Sequence, residues 1–241
     1  MRSVEVCVSP DLISCYELKG KIVVVIDILR ATSCMVTGLG EGLAGIIPVE
    51  KLEECKKLQE QGYVAAAERD GKKVEGFDIG NSPFSYQDKA LKGKWVAVTT
   101  TNGTRALVYS LAAKEILVGA FLNRSALVKY LLSKEEDIVL VCAGWKGQLN
   151  LEDTLFAGAI IDSLKDHEVE VKNDSSLTAY YLYDRAKEDL FAFLGNSSHF
   201  NRLKNLGIEE DVKYCLKEDL YDVVPQFVDG KLTCALVEVE K

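Results

Sequence analysis

The chain has 241 residues, 48% of them hydrophobic and 27% charged, with only four prolines. That is enough for one large α/β domain or two small ones, and the balance excludes a largely disordered chain. The formal net charge of -8 argues against nucleic acid as a partner, which needs clustered Lys and Arg, but leaves room for a small anionic substrate in a locally basic pocket.

In chain order, residues 22–28 predict a β-branched strand, 30–38 a helix, 45–49 a strand, 52–61 a helix, and 63–67 and 95–99 two further strands. Residues 106–113 are helical in pattern, 116–121 extended, 125–132 helical, 138–143 extended and 152–164 strongly helical. Continuous apolar strands separated by helices predict a largely parallel sheet covered on both faces, a three-layer α/β/α architecture. Residues 1–241 then form a single α/β unit, or two α/β subdomains divided near residue 125 with the site between them. Residues 175–194 predict one long helix, 195–198 a break, and residue 198 the start of a short helix. Residues 233–239 predict a strand that pairs antiparallel at a sheet edge.

The seven cysteines include no CxxC and read as reduced thiols packed as small hydrophobes. The first residues carry no secretory pattern, and no apolar run reaches the length of a membrane span. A cytoplasmic protein without membrane contact is expected, and a homodimer is the commonest assembly for such a chain.

Ligands of open parallel sheets bind at the carboxyl ends of the strands, and five segments there carry chemistry. In the first, Asp27 could ligate a metal and Arg30 grip an oxyanion through its planar fork, against an Asp–Arg pair with a Thr32 or Ser33 cap. In the second, Glu68 and Arg69 pair an acid with a base. The third, residues 75–83, is a shaped loop with Asn81 and Ser82, suited to wall or cover a site. The fourth is Thr100-Thr101-Asn102-Gly103-Thr104-Arg105, whose hydroxyls, glycine amide and helix start suit an anion. In the fifth, Gly144 and Gly147 allow close backbone approach, and Asn150 and Asp153 form a capping box or, with Glu152, contribute acids to Mg²⁺. His199, at a helix start, is a better functional candidate than His167. P-loop, GxSxG, DxD and Cys-x5-Arg patterns are missing from the sequence.

VVVIDILRATS, AAERDGKKVEGFDIGNSP, TTTNGTRA, CAGWKGQLNLEDTLFAGAI and SSHFNRLKNLG occur in this order. Together they resemble the 2-phosphosulfolactate phosphatases from about residue 20 to beyond residue 225. The resemblance implies an Mg²⁺-dependent phosphatase that converts (2R)-2-phospho-3-sulfolactate to sulfolactate and phosphate, a coenzyme M-type step. Joined to the site reading, it implies that Asp27, Glu68 and Asp153 hold Mg²⁺, with Glu152 as an alternative ligand or catalytic group. Thr100 to Arg105 cradle the phosphoryl group, with Arg105 catalytic. Arg30 and Arg69 hold the sulfonate or carboxylate, with Asn81, Ser82 and Gly144 also against substrate. His199 protonates the leaving alkoxide. Departures from the family pattern fall at Asp70, Asn150 and Phe200. The rival reading is a non-catalytic regulator that binds a phosphometabolite or nucleotide.

Overall fold

A computed structural model describes residues 1–100 and 103–235. The chain runs β1 (Arg2–Cys7), β2 (Ile22–Ile26), α1 (Ala31–Gly40), β3 (Gly45–Pro48), α2 (Leu52–Glu60), β4 (Val64–Arg69) and β5 (Lys72–Lys73). It continues through α3 (Pro83–Tyr86), β6 (Trp95–Thr99), α4 (Gly103–Tyr109), β7 (Glu115–Gly119), α5 (Arg124–Leu132), β8 (Ile138–Cys142) and α6 (Leu151–Leu164). The remaining elements are β9 (Val169–Val171), α7 (Asp174–Ala186), α8 (Leu190–Leu194), α9 (Ser198–Asn205), α10 (Glu209–Cys215), β10 (Pro225–Val228) and β11 (Lys231–Cys234).

The strands form one sheet in the order β5-β4-β6-β3-β11-β10-β7-β2-β8-β1-β9. Strand β2 shows why the middle is parallel. All five of its residues are buried, so it needs apolar neighbours on both edges and cover on both faces. Val24 lies opposite Leu117 of β7 and Leu140 of β8, both pairings parallel. Each Val or Ile buried in this way contributes about 1.5–3 kcal/mol. Helices flank the sheet, giving the expected three-layer α/β/α arrangement.

Two parallel blocks make up most of the sheet, β4-β6-β3 and β7-β2-β8-β1-β9. The hairpin β10–β11 joins them, docking through Gln226 opposite Leu117 on one side and Leu232 opposite Ile46 on the other. The strand predicted over 233–239 was expected at an edge; β11 instead lies in the middle of the sheet, and residues beyond 235 lie outside those described. Three successive antiparallel pairings mean that the two blocks run in opposite senses.

The predicted long helix over 175–194 is two helices. Asp189 separates them, its carboxylate accepting from the Ala192 amide to cap α8. Helix α7 packs closely on α6, where Gly158 admits the Ala179 carbonyl. In the 75–83 loop, Phe77 packs with Cys55, Ala65, Ala67 and Ala97 beneath α2, so this aromatic anchors the loop.

All seven cysteines are free; five are buried as expected, while Cys15 and Cys234 are exposed. Among the described residues, no helix is long and apolar enough to cross a membrane.

Candidate active site

A cleft opens where the residues after β2, β4, β6 and β8 converge, so both blocks contribute their carboxyl ends. Of the residues singled out in the sequence, Asp27, Arg30, Glu68, Asn81, Thr100, Gly144 and His199 line it. Asp70, Gly71, Trp145, Lys146, Asn150, Arg202 and Leu203 line it too.

Asp27 ends the buried run of β2 and caps α1. Its Oδ1 accepts from the Ala31 amide at 3.2 Å, and the Thr32 hydroxyl accepts from the Asp27 amide at 3.0 Å. A Cβ on Gly103 would sit 2.7 Å from the Ala31 methyl, 3.1 Å from Asp27 Oδ2 and 3.4 Å from Thr100 Oγ1. Glycine therefore lets the start of α4 close against Asp27. Burial pushes the Asp27 carboxyl up to about 6, and neighbouring Glu68 and Glu152 add to the effect.

Arg30 is buried, and the alternative reading of an Asp27–Arg30 pair is not what forms. Its guanidinium pairs with Asp211 of α10 and donates to the Gly71 carbonyl at 3.1 Å. The Gly71 amide in turn donates to Glu68 Oε1 at 2.5 Å. A chain of bonds thus fixes Arg30 and Glu68 relative to each other. Asp211, inside a helix among other acids, carried no sequence signal.

The capping box expected at Asn150 is not formed. Asn150 is the N-cap of α6 by backbone angle, without a side-chain cap bond. Asp153 is buried; its Oδ1 accepts from the Ile28 amide at 2.9 Å and its Oδ2 from the Gly144 amide at 3.0 Å. It braces the ends of β2 and β8 from behind the cleft and does not line it. Burial, then Glu152 and Asp27, holds its carboxyl well above the ordinary value. Glu152 is fully buried; its Oε1 contacts His199 Nδ1, and its Oε2 has no partner. It lies behind His199.

Several other predicted residues are placed elsewhere. Arg69 donates to the Glu68 carbonyl at 2.6 Å and to Thr99 Oγ1 at 3.2 Å, a structural role. Ser82 starts the short helix α3 and does not line the cleft. Thr104 is buried behind Thr100, whose Oγ1 accepts from the Thr104 amide at 3.3 Å. Arg105 is partly exposed, pairs with Asp11 and lies over the Tyr109 ring at 4.9 Å; it does not line the cleft. Thr101 and Asn102 lie outside the described residues.

The Gly144–Asn150 loop is tightly built. Trp145 and Gln148 exchange backbone hydrogen bonds at 2.9 and 3.0 Å, with Lys146 and Gly147 between them at φ 52° and 74°. Two successive left-handed residues are the signature of a type I′ turn. A Cβ on Gly144 would overlap the Gln148 carbonyl. The turn holds the Trp145 indole parallel to the His199 imidazole, with centroids 6.3 Å apart and planes 10° apart.

Mg²⁺ takes six oxygen ligands, keeps several waters and uses only one or two carboxylates. Among the described residues, no three His, Cys, Asp or Glu side chains form a ready cage. However, burial and neighbouring acids raise the carboxyls of Asp27 and Asp153, and Glu152 Oε2 and Asn81 Oδ1 are buried acceptors without donors. This is a donor set short of positive charge, and it fits a partly hydrated divalent cation.

The fold and this acid-rich cleft agree with what the chain is similar to. The family described as 2-phosphosulpholactate phosphatase matches residues 7–230. A protein of Clostridium novyi is 38% identical over 95% of this chain and 99% of its own length. One of Thermotoga petrophila is 42% identical over 90% and 93%, and one of Clostridium perfringens 42% over 95% of each. All three are named probable 2-phosphosulfolactate phosphatase. These matches place the chain among the phosphoric monoester hydrolases. It belongs to the 2-phosphosulfolactate phosphatase family.

Proposed function

We propose that the cleft hydrolyses (2R)-2-phospho-3-sulfolactate to sulfolactate and phosphate with Mg²⁺, the chemistry a coenzyme M-type route requires. The observation that carries this reading is the meeting, within one cleft, of Asp27, Glu68 and an imidazole anchored by a buried carboxylate.

Asp27 and Glu68 would hold the cation, with the Asn81 carbonyl oxygen near them. Asp153, with both oxygens engaged by backbone amides, is not assigned as a ligand. Bound there, Mg²⁺ supplies neutralisation of the charge on the phosphoryl oxygens. Thr100, its Oγ1 held by the Thr104 amide at the start of α4, provides a hydroxyl donor beside Asp27. His199, bonded to Glu152 through Nδ1, turns Nε2 to the cleft. Water attacks phosphorus as the ester P–O bond breaks. The departing secondary alkoxide is a poor leaving group, and a proton delivered to it from Nε2 releases it as the alcohol. The attacking water's oxygen stays on the phosphate, and its proton passes to solvent.

The cleft volume of about 90 Å³ suits a small phosphorylated acid better than a nucleotide, which weighs against the nucleotide-binding regulator. The test is phosphate release from phosphosulfolactate, with Mg²⁺, after EDTA and after Mg²⁺ is restored. We expect turnover, its loss and its recovery. Undiminished release in EDTA rejects the metal assignment, and no release with Mg²⁺ rejects the phosphatase reading.

A further inference from the structure

Four basic side chains lie in or beside the cleft, and their charges are not equally available. Arg69 keeps its charge, but it is held by the Glu68 carbonyl and the Thr99 hydroxyl and does not line the cleft. Arg30 is buried, and the equally buried Asp211 cancels its charge. Arg202 and Lys146 remain. Arg202, from the middle of α9, lies over the Trp145 ring at 5.3 Å, and Lys146 Nζ is 4.6 Å from the same ring centroid. The acid nearest Arg202 is Asp70 at 3.7 Å, almost fully exposed and so screened by water. For Lys146, no ion pair is formed among the described residues. The indole itself is fixed by the type I′ turn, and its other ring neighbour is His199.

We infer that Arg202 and Lys146, steadied on Trp145, bind the substrate's second acidic group, its sulfonate or carboxylate, and thereby set the enzyme's preference for phosphorylated acids. This rests on the phosphatase reading of the same cleft, and it replaces Arg30 and Arg69 in the role first expected of them. Arg202 and Lys146 line the same cleft as Asp27 and Glu68, with Arg202 close to Gly71, so one small molecule can meet the acids with one anionic end and these cations with the other. The phosphoryl group meets the acid-held cation, while the acid group meets the uncompensated cations. The indole face between Arg202 and Lys146 excludes water from one side of those contacts, which strengthens them.

The experiment compares kcat/KM on three phosphate esters: phosphosulfolactate, 2-phospholactate, and glycerol 2-phosphate, a secondary ester without an acid group. Arg202→Ala and Lys146→Gln are each expected to lose roughly 10- to 100-fold on phosphosulfolactate, the scale of a hydrogen bond to a charged group. They should stay within about threefold of wild type on glycerol 2-phosphate. Arg202→Lys should recover part of the loss. A matching loss on 2-phospholactate assigns the carboxylate, and a loss confined to phosphosulfolactate assigns the sulfonate. Equal losses on all three esters in folded variants, or no loss on any, overturn the inference. Calorimetric titration with sulfolactate keeps the two readings apart. If wild type binds it, Arg202→Ala binds it at least tenfold more weakly and neither hydrolyses anything, the subsite stands and the phosphatase reading falls. Equal binding by both removes the subsite.

Discussion

Glu152, in the first turn of α6, holds His199, at the start of α9, through the imidazole Nδ1. Glu152 has no exposed surface, so its carboxylate does not reach substrate directly. It fixes the ring's orientation and leaves Nε2 as the nitrogen facing the cleft. Two residues that the sequence places in separate motifs thus act as one unit.

This relationship predicts a dependence on the leaving group. Replacing His199 by Ala removes the proton donor, a loss of about 10²–10⁴ in kcat on an alkyl phosphate. On 4-nitrophenyl phosphate, whose leaving group needs no proton, the loss should be under tenfold. Glu152→Gln should lower kcat on the alkyl ester with little change in KM and displace the pH–rate profile. An equal loss from His199→Ala on both esters would reject the proton-donor role.

Asp27 predicts a pH-dependent stability. Its carboxyl is raised from 3.8 to about 6 in the folded state, so the native protein holds this proton more tightly than the unfolded chain. That contribution is fully present below the unfolded value and is lost as pH rises through the folded one. In EDTA, Asp27→Asn should therefore gain stability relative to wild type as pH rises from about 4 to about 7. The Asn oxygen can still accept from the Ala31 amide. Urea midpoints at three pH values check this; a difference that does not vary with pH removes Asp27 as the source.

Arg105 separates the structure from the expectation drawn from sequence. A guanidinium gripping the phosphoryl group would cost roughly 10²–10³ in rate on removal. Paired with Asp11 outside the cleft lining, it should cost less than about threefold in rate when changed to Ala, with at most about 1 kcal/mol of stability lost with the exposed ion pair. Steady-state kinetics decide between the two.

Gly158 tests the packing of α6 against α7. An added methyl would meet the Ala179 carbonyl oxygen and crowd the Tyr183 Cβ at 2.7 Å. Gly158→Ala should destabilise by roughly 1–3 kcal/mol. In a chain of this size, Tm should then fall by roughly 2–4 °C per kcal/mol, read by calorimetry. An unchanged Tm would mean that the two helices separate without penalty.

The alternation of apolar runs and helices was legible because β2, β6 and β8 are buried on both faces and so read as continuous hydrophobic segments. Asp27, Glu68, Thr100 and His199 were legible because each follows such a run or opens a helix. Arg202 and Asp211 were not: each lies inside a charged helix, and only tertiary packing turns one to the cleft and the other to Arg30. Lys146 carries no chemical signal of its own in the sequence, although Lys-Gly between Trp145 and Gln148 is itself a turn signal. Asp153 looked like a cap or a ligand because both roles want an acid at that spacing; a brace between two strand ends leaves no local pattern. The hairpin escaped because β10 and β11 are short and partly polar, and that composition usually marks an edge.

The seam formed by that hairpin has a consequence for biogenesis. Synthesis makes β3 and β7 well before β10 and β11, so both parallel blocks exist for a time with open, hydrogen-bond-hungry rims at β3 and β7. A nascent chain stalled before the hairpin offers those rims to other chains, and arrival of the hairpin converts two vulnerable half-sheets into a sealed one.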